Sequence, residues 1–431
     1  MSNNHFSYKE AVNFLYSLQK FGIKFGLSST SNLLEKLGNP HIGRRYIHIG
    51  GTNGKGSVSA FIAEILHKAG FKVGLYTSPH LVSFTERFRI NNKKISHNDV
   101  IHFLNIILQA INTNDLPTYF ETTTAMALLY FADKNTDIDI IEVGMGGTLD
   151  ATNIIFPMIS IITNVGMDHT EYLGNTIEKI AADKAGIIKP NIPIITGAHN
   201  KKALSVLEKK ASEISAPLTR IGKDVRYRMI RNSFNYYGKL FRLNNIKLGL
   251  HGDFQAKNAA IAFAAIESLR EYGLQIEENH LRSGAKDTIW PGRFHMIKKD
   301  GYTFLLDGAH NFPAINELRN SLQKKFPTQK LILILGIMKD KDIKSIIKAI
   351  VPIAKYVYYT SPKYERSAKP EQLATEAANL CIPGEISCSI EDAIYKAKKM
   401  SEKSDLIVIT GSFFTIGEAI SLLDPDTYSI D

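Results

Sequence analysis

RYIHIGGTNGKGSVSAFIAEILHKAG, residues 45–70, decides the fold. A short apolar run, RYIHI at 45–49, feeds directly into glycines, and an amphipathic helix follows from about Ser57. Val58, Ile62, Ile65, Leu66 and Ala69 share one side of that helix, and Gly70 stops it. A strand, a glycine turn and a helix in this order suit a phosphate. Backbone N–H groups close around its oxygens, the helix N-terminus adds positive potential, and Lys55 reaches the terminal group. The stretch departs from the pattern G-x-x-x-x-G-K-[ST], because Ile49 stands where the first glycine would be and Gly56 follows Lys55. Ser57 supplies the hydroxyl one place later. The predicted nucleotide contacts here are Gly51, Thr52, Asn53, Gly54, Lys55, Gly56 and Ser57.

The same texture continues along the chain after the loop. Short runs rich in Ile and Val at 72–76, 138–143, 158–164 and 193–196 alternate with helical stretches, the pattern of parallel strands joined by helices. Most are apolar on both faces, as buried parallel strands are. Residues 226–250 alternate aromatic and polar side chains around Tyr237-Gly238-Lys239, which predicts a small antiparallel excursion, and a helix resumes at 256–272. A second strand-helix series begins near 303, with strands at 303–307, 330–337, 356–360 and 405–410. Pro291-Gly292 marks the break between the two series. The predicted class is α/β. A mostly parallel sheet domain with the phosphate loop occupies 1–295, and a smaller Rossmann-like α/β domain occupies 296–431.

Composition narrows the function. At 431 residues and 44% apolar, the chain is large enough for two cores. The beginning MSNNHFSYKE lacks the layout of a secretory leader, and the longest apolar run, 331–338, is strand-sized, so a cytoplasmic protein without a membrane partner is expected. Cys381 and Cys388 are too few for a disulfide framework or a four-ligand zinc site. The net charge of +10 comes from scattered lysines with no basic run interleaved with aromatics, which argues against nucleic acid; the excess suits small polyanionic substrates or serves only solubility.

Three residues beyond the loop could carry chemistry. Glu142 ends a buried strand at the edge where parallel sheets bind ligands; a carboxylate there suits Mg²⁺ or caps a neighbouring helix. His169 also follows a strand end, and serves either as a ligand or as a structural residue. Asn175 with Glu178 reads as the start of a helix through 177–188, on which Lys184 reads as a solvated lysine.

Taken together, GTNGKGS, EVGMGG, DHTEYLG, DKAGIIK, GDFQAKN, WPGR, DGAHN and GSFFTIGE, in this order, closely resemble the motifs of the Mur ligase superfamily. The likeness is to its folate branch, the folylpolyglutamate and dihydrofolate synthases. The resemblance implies ATP-dependent addition of L-glutamate to dihydropteroate, to folates, or to both, through an acyl phosphate. It implies Mg²⁺, as two ions, on Ser78, Glu142 and His169. It also implies a carbamylated Lys184, which no reading of the residues alone suggests. Asn258 matches the residue that holds adenine, and Arg293, Asp307 and His310 match ATP contacts of the second domain. Phe120 and Glu121, with Leu149, Asp150 and Ala151, match the pterin end of the site, and Ser412 matches a substrate contact. Lys55, Lys184, Asp307 and His310 are thus the catalytic candidates, and a monomer is expected.

Two departures stand out. Thr148 replaces a frequent Arg, and Phe312 precedes Pro313 where DGAHN is usually followed at once by Pro. The first bears on pterin or carboxylate binding, the second on a turn. Other readings are a monofunctional folylpolyglutamate synthase, a cell-wall Mur ligase, which would normally carry a separate N-terminal domain for which a loop beginning by residue 50 is expected to leave no room, and a nucleic-acid-dependent P-loop ATPase.

Overall fold

The apolar run ahead of the glycines folds as strand β1 (Tyr46–Gly50), and every residue of it is buried. The computed structural model describes residues 6–22, 26–111, 116–230 and 233–429. Two compact units divide the chain. The first is Met1–Pro79, Phe84–Gly249 and Ala256–Thr288, and the second is His80–Ser83, Leu250–Gln255 and Ile289–Asp431. The boundary read at 295 falls inside the second unit, on the first residue of strand His295–Lys299.

In the first unit β1 is joined by β2 (Val73–Tyr76), β3 (Phe88–Ile90), β4 (Lys93–Lys94), β5 (Ile138–Glu142), β6 (Ile159–Ile162), β7 (Ile194–Thr196) and β8 (Leu218–Arg220). Their order is β4-β3-β2-β5-β1-β6-β7-β8. The strands from β2 to β8 in that order pair in parallel, and β3 and β4 extend the edge antiparallel. The chain leaves β1 toward β2 but leaves β6 toward β7, so the strand order reverses between β1 and β6. The carboxyl ends of such a pair form the crevice where open α/β sheets take ligands. Register places Ile49 beside both Glu142 and Ile161 at that edge.

The helix after the loop is Lys55–Lys68, beginning two residues before the expected Ser57. Sequence predicts one apolar face, whereas Gly56 through Leu66 are all buried. The cause is a second layer: helix Glu278–Asp287 lies on the outer side, so close that a Cβ at Gly284 would stand 2.7 Å from Ile65 Cα. The excursion at 226–250 is the antiparallel sheet of β9 (Arg226–Ile230), β10 (Ser233–Tyr237) and β11 (Arg242–Ile246). It is tied to helix Gln255–Arg270 by Glu267, whose carboxylate accepts from the amides of Lys239, Leu240 and Phe241 at 3.0, 3.0 and 2.8 Å.

The second unit holds β12 (His295–Lys299), β13 (Tyr302–Asp307), β14 (Leu331–Leu335), β15 (Tyr356–Tyr359), β16 (Gly384–Ile386) and β17 (Leu406–Thr410), ordered β12-β13-β17-β14-β15-β16. All pairs are parallel except the β12–β13 hairpin. Leu305, Leu333, Val357 and Val408 enter one core, while Phe304, Ile332, Ile334, Tyr358 and Ile407 enter another on the opposite face. Helices cover both faces, which is why these strands read as continuous apolar runs. Among the described residues no helix is long and apolar enough to cross a membrane.

Candidate active site

The phosphate loop is strapped to the end of β6. Thr163 Oγ1 donates to Asn53 O at 2.6 Å, Asn53 N donates to Asn164 Oδ1 at 2.8 Å, and Thr52 N donates to Asn164 O at 3.1 Å. Thr52 Oγ1 accepts from Gly166 N at 3.0 Å. Sequence reading placed Thr163 and Asn164 in a strand running to 164. The strand ends at Ile162 because these two residues turn to hold the loop. The signal that would have revealed them is a pair of short polar side chains directly after an apolar run.

Gly54 caps the helix at φ 85° without a side-chain hydrogen bond. A Cβ there would meet Asn258 Oδ1 at 2.6 Å, so only glycine suits the position. The first-turn amides thus present the positive end of the helix without a capping oxygen of the cap residue in front of them. Asn258 is 8% exposed and lies directly against the loop. Lys55 Nζ donates to Gly51 O at 3.1 Å and stands 4.0 Å from Glu142 Oε1. Glu142, the last residue of β5, is 4% exposed.

The largest departure from a local reading is Lys184. It ends helix Ile177–Lys184 and is 4% exposed, not solvated. The helix is capped by Thr176, whose Oγ1 accepts from Lys179 N at 3.2 Å, rather than by Asn175, and it gives way to a 3-10 turn at Ala185–Ile187. Burial, reinforced by the positive charge of Lys55, lowers the Lys184 ammonium to about 7, against the pull of Asp168, Asp183 and Asp150. Gly147 permits this placement. A Cβ on it would come within 2.8 Å of Asp183 O and 3.0 Å of Lys184 Cα. Asp183, which sequence reading passed over, carries a carboxyl raised chiefly by burial, with Lys184 opposing.

The other candidates vary in position. Ser78 is half-buried just beyond β2, and His169 is exposed, with φ 49°, ahead of the short Thr170–Leu173 helix. Glu121 closes a capping box: its Oε2 accepts from Thr118 N at 2.7 Å and its amide donates to Thr118 Oγ1. Its Oε1 is buried without a hydrogen-bond partner. Phe120 packs its ring on Gly144, where a Cβ would sit 2.4 Å from it. Asp150 is buried and accepts from Met145 N and Thr152 N at 2.9 and 3.0 Å; burial raises its carboxyl against these hydrogen bonds. Leu149 is 44% exposed and Ala151 is buried. Thr148 donates through Oγ1 to Asp183 O at 2.9 Å.

In the second unit Asp307 ends β13 and is 3% exposed. Its oxygens accept from Phe294 N at 2.8 Å and Ala309 N at 2.9 Å, and burial raises it while Arg293 opposes. His310 Nδ1 is 2.8 Å from Gly308 O, and the Arg293 guanidinium lies 4.4 Å from the centre of the Phe413 ring. Ser412 is 1% exposed and caps helix Phe413–Leu423 by accepting from Thr415 N at 3.0 Å. Phe312, 49% exposed, opens helix Phe312–Lys325 behind the Asn311 cap, so Pro313 falls within its first turn.

Residues 49–266 match the Mur ligase middle domain, and residues 292–413 match the Mur ligase, glutamate ligase domain. The dihydrofolate synthase/folylpolyglutamate synthase of Bacillus subtilis is 33% identical over 428 residues, covering 96% of this chain and 98% of that one. The chain belongs to this family of Mur ligases. Among solved structures of the family, Escherichia coli FolC in complex with DHPP and ADP superposes with a TM-score of 0.89 at 30% identity, over 97% of this chain and 98% of that chain. The Yersinia pestis bifunctional folylpolyglutamate synthase/dihydrofolate synthase complexed with AMPPNP and Mn ion gives 0.87 at 27%, over 98% and 99%.

Among the described residues no three His, Cys, Asp or Glu gather to hold a metal. The first unit instead offers one strand-end carboxylate, Glu142, beside Lys55 of the phosphate loop, with the exposed imidazole of His169 and the half-buried hydroxyl of Ser78 also following strand ends. So sparse and oxygen-rich a set fits Mg²⁺, which keeps several waters and takes phosphate oxygens as ligands.

Proposed function

We propose that this Mur ligase is a bifunctional dihydrofolate synthase/folylpolyglutamate synthase. It adds L-glutamate to dihydropteroate and to reduced folates at the expense of ATP. The single observation that carries the reading is the juxtaposition, at one sheet edge, of a strapped phosphate loop, Glu142 beside Lys55, and the buried Lys184.

A carboxylate is a poor acylating agent, so an acceptor oxygen first attacks the γ-phosphorus of ATP, the bond to ADP breaks, and an acyl phosphate forms. The glutamate amine then adds to the acyl carbon, loses a proton to solvent, and expels inorganic phosphate. Lys55 and the first turn of the Lys55–Lys68 helix neutralise charge on the transferred group. Gly51 through Ser57 orient the phosphates, and Asn258, set against the loop, faces the base. Mg²⁺, as two ions held by Ser78, Glu142 and His169, supplies further positive charge to the phosphate oxygens when bound. Lys184, lowered to about 7, has a substantial neutral fraction at neutral pH. Its nitrogen can add to CO₂ with loss of a proton, which turns a repelling ammonium into an anionic carbamate in a cation-binding site.

Glu121 Oε1, buried and unpartnered, is available to a donor on the pterin, with Phe120, Leu149, Asp150 and Ala151 as the further candidate contacts. In the second unit Asp307 and Ser412 shape the loops that carry Arg293 and His310, the candidate ATP contacts of that unit. Phosphate release by purified protein with MgATP and L-glutamate tests this. One reaction contains 7,8-dihydropteroate, one tetrahydrofolate, and one neither. Release in both acceptor reactions is expected; release with tetrahydrofolate alone selects a monofunctional folylpolyglutamate synthase, and silence in both refutes the substrate.

A further inference from the structure

Thr152 and Asn153 are adjacent, buried and hydrogen-bonded in opposite directions. Thr152 Oγ1 donates to Asp150 Oδ1, which leaves its oxygen to accept from His48 Nε2–H at 2.9 Å. His48 is fully buried in β1, the strand that delivers the phosphate loop. Asp150 in turn fixes Met145 N, in the loop that leaves Glu142. Asn153 looks the other way. Its Nδ2 donates to Thr148 O at 3.0 Å and to Gly186 O at 3.2 Å, and its main-chain oxygen accepts from Lys189 Nζ at 3.0 Å. Gly186 and Lys189 belong to the turn that follows Lys184.

We infer that Thr152 and Asn153 are positioning residues that lock the Lys184 turn to the phosphate-loop strand. Neither touches a reacting atom. Through these two side chains the loop between Glu142 and Asn153 is bonded to both elements, and together with Thr148, which bonds Asp183 O, they help fix where Lys184 stands relative to β1. The inference rests on the ligase reading for its kinetic consequence but not for its structural one. The phosphate loop has separate bonds to Thr163 and Asn164, so ATP binding should survive a broken clamp.

Three variants of the full chain test it. Asn153→Asp presents a carboxylate to two carbonyl oxygens, Thr152→Val removes the hydroxyl at constant shape, and Thr152→Ser keeps it. In Asn153→Asp and Thr152→Val, amide hydrogen exchange in peptides spanning 144–150 and 183–189 should quicken about tenfold or more while the rest of the sheet stays protected. In the same variants kcat should fall roughly tenfold to a hundredfold with MgATP affinity unchanged, and Thr152→Ser should restore both readouts. Exchange that is unchanged in these peptides, or a loss of protection spread evenly over the first unit, overturns the proposal, as does a matching loss of MgATP affinity. A wild-type protein without ligase activity whose variants still show the local exchange change would retain the clamp and refute only the ligase reading.

Discussion

Glu142 and Asp307 occupy equivalent places, each the last residue of a buried parallel strand at the carboxyl edge of its own sheet. Their surroundings differ. Glu142 stands beside the ammonium of Lys55, on a sheet edge whose charges also act on Lys184. Asp307 gives one oxygen to Phe294 N and the other to Ala309 N, so it knits its own loops. The same contrast runs through the two units. The first gathers ionisable groups into one electrostatic system, whereas in the second Ser412 and Asp307 are engaged in caps and turns that present Arg293 and His310. A motif residue at a strand end can thus serve the ligand directly or serve the loop that does.

Replacing Lys184 should show the contrast most sharply. Lys184→Ala is expected to lose on the order of a hundredfold to a thousandfold in kcat while remaining folded, since a buried amine that stabilises nothing when protonated is removed. Near-normal turnover would end its assigned role. Lys55→Ala should cost about a hundredfold in kcat/KM for MgATP, read from initial rates.

Asp307→Ala belongs to the other kind. Stranding the Phe294 and Ala309 amides should cost about 2–4 kcal/mol in urea unfolding of the protein. A variant as stable as wild type would place Asp307 with Glu142 instead. Ser412→Ala should lose about 1 kcal/mol through the uncapped Phe413–Leu423 helix, by the same measurement.

The pH dependence sharpens the reading of Lys184. Its folded value is lowered from 10.5 to about 7, so between these values the unfolded chain binds more protons and stability rises with pH. Below about 7 both states are protonated and the full penalty of burying the cation remains. Turnover with added bicarbonate should therefore climb as pH rises through about 7, and the gain should vanish in Lys184→Ala. A profile indifferent to bicarbonate would argue against the carbamate.

The sequence displayed the fold well where both faces of a strand are buried. β1, β5, β14 and β17 were legible as apolar runs, whereas β4, β8 and β16 sit at sheet edges with exposed or half-exposed side chains and carry no such signature. The site was legible at the glycine loop, where local chemistry demands glycine at Gly54. It was not legible at Lys184, whose burial depends on Gly147, a residue brought near it only by tertiary packing. Thr163 and Asn164 were mistaken for strand because the apolar run ahead of them does not show where pairing stops. Thr148, a departure in the sequence, proves to bond the Asp183 carbonyl and so to brace the same turn.

The central claim is that an acceptor carboxylate takes the γ-phosphoryl group of ATP before glutamate arrives. It is tested most directly with tetrahydrofolate whose terminal carboxylate carries heavy oxygen, incubated with MgATP, L-glutamate and the purified protein. The account predicts that the inorganic phosphate released contains one heavy oxygen from the acceptor for each amide formed. Amide product accompanied by unlabelled phosphate would contradict it.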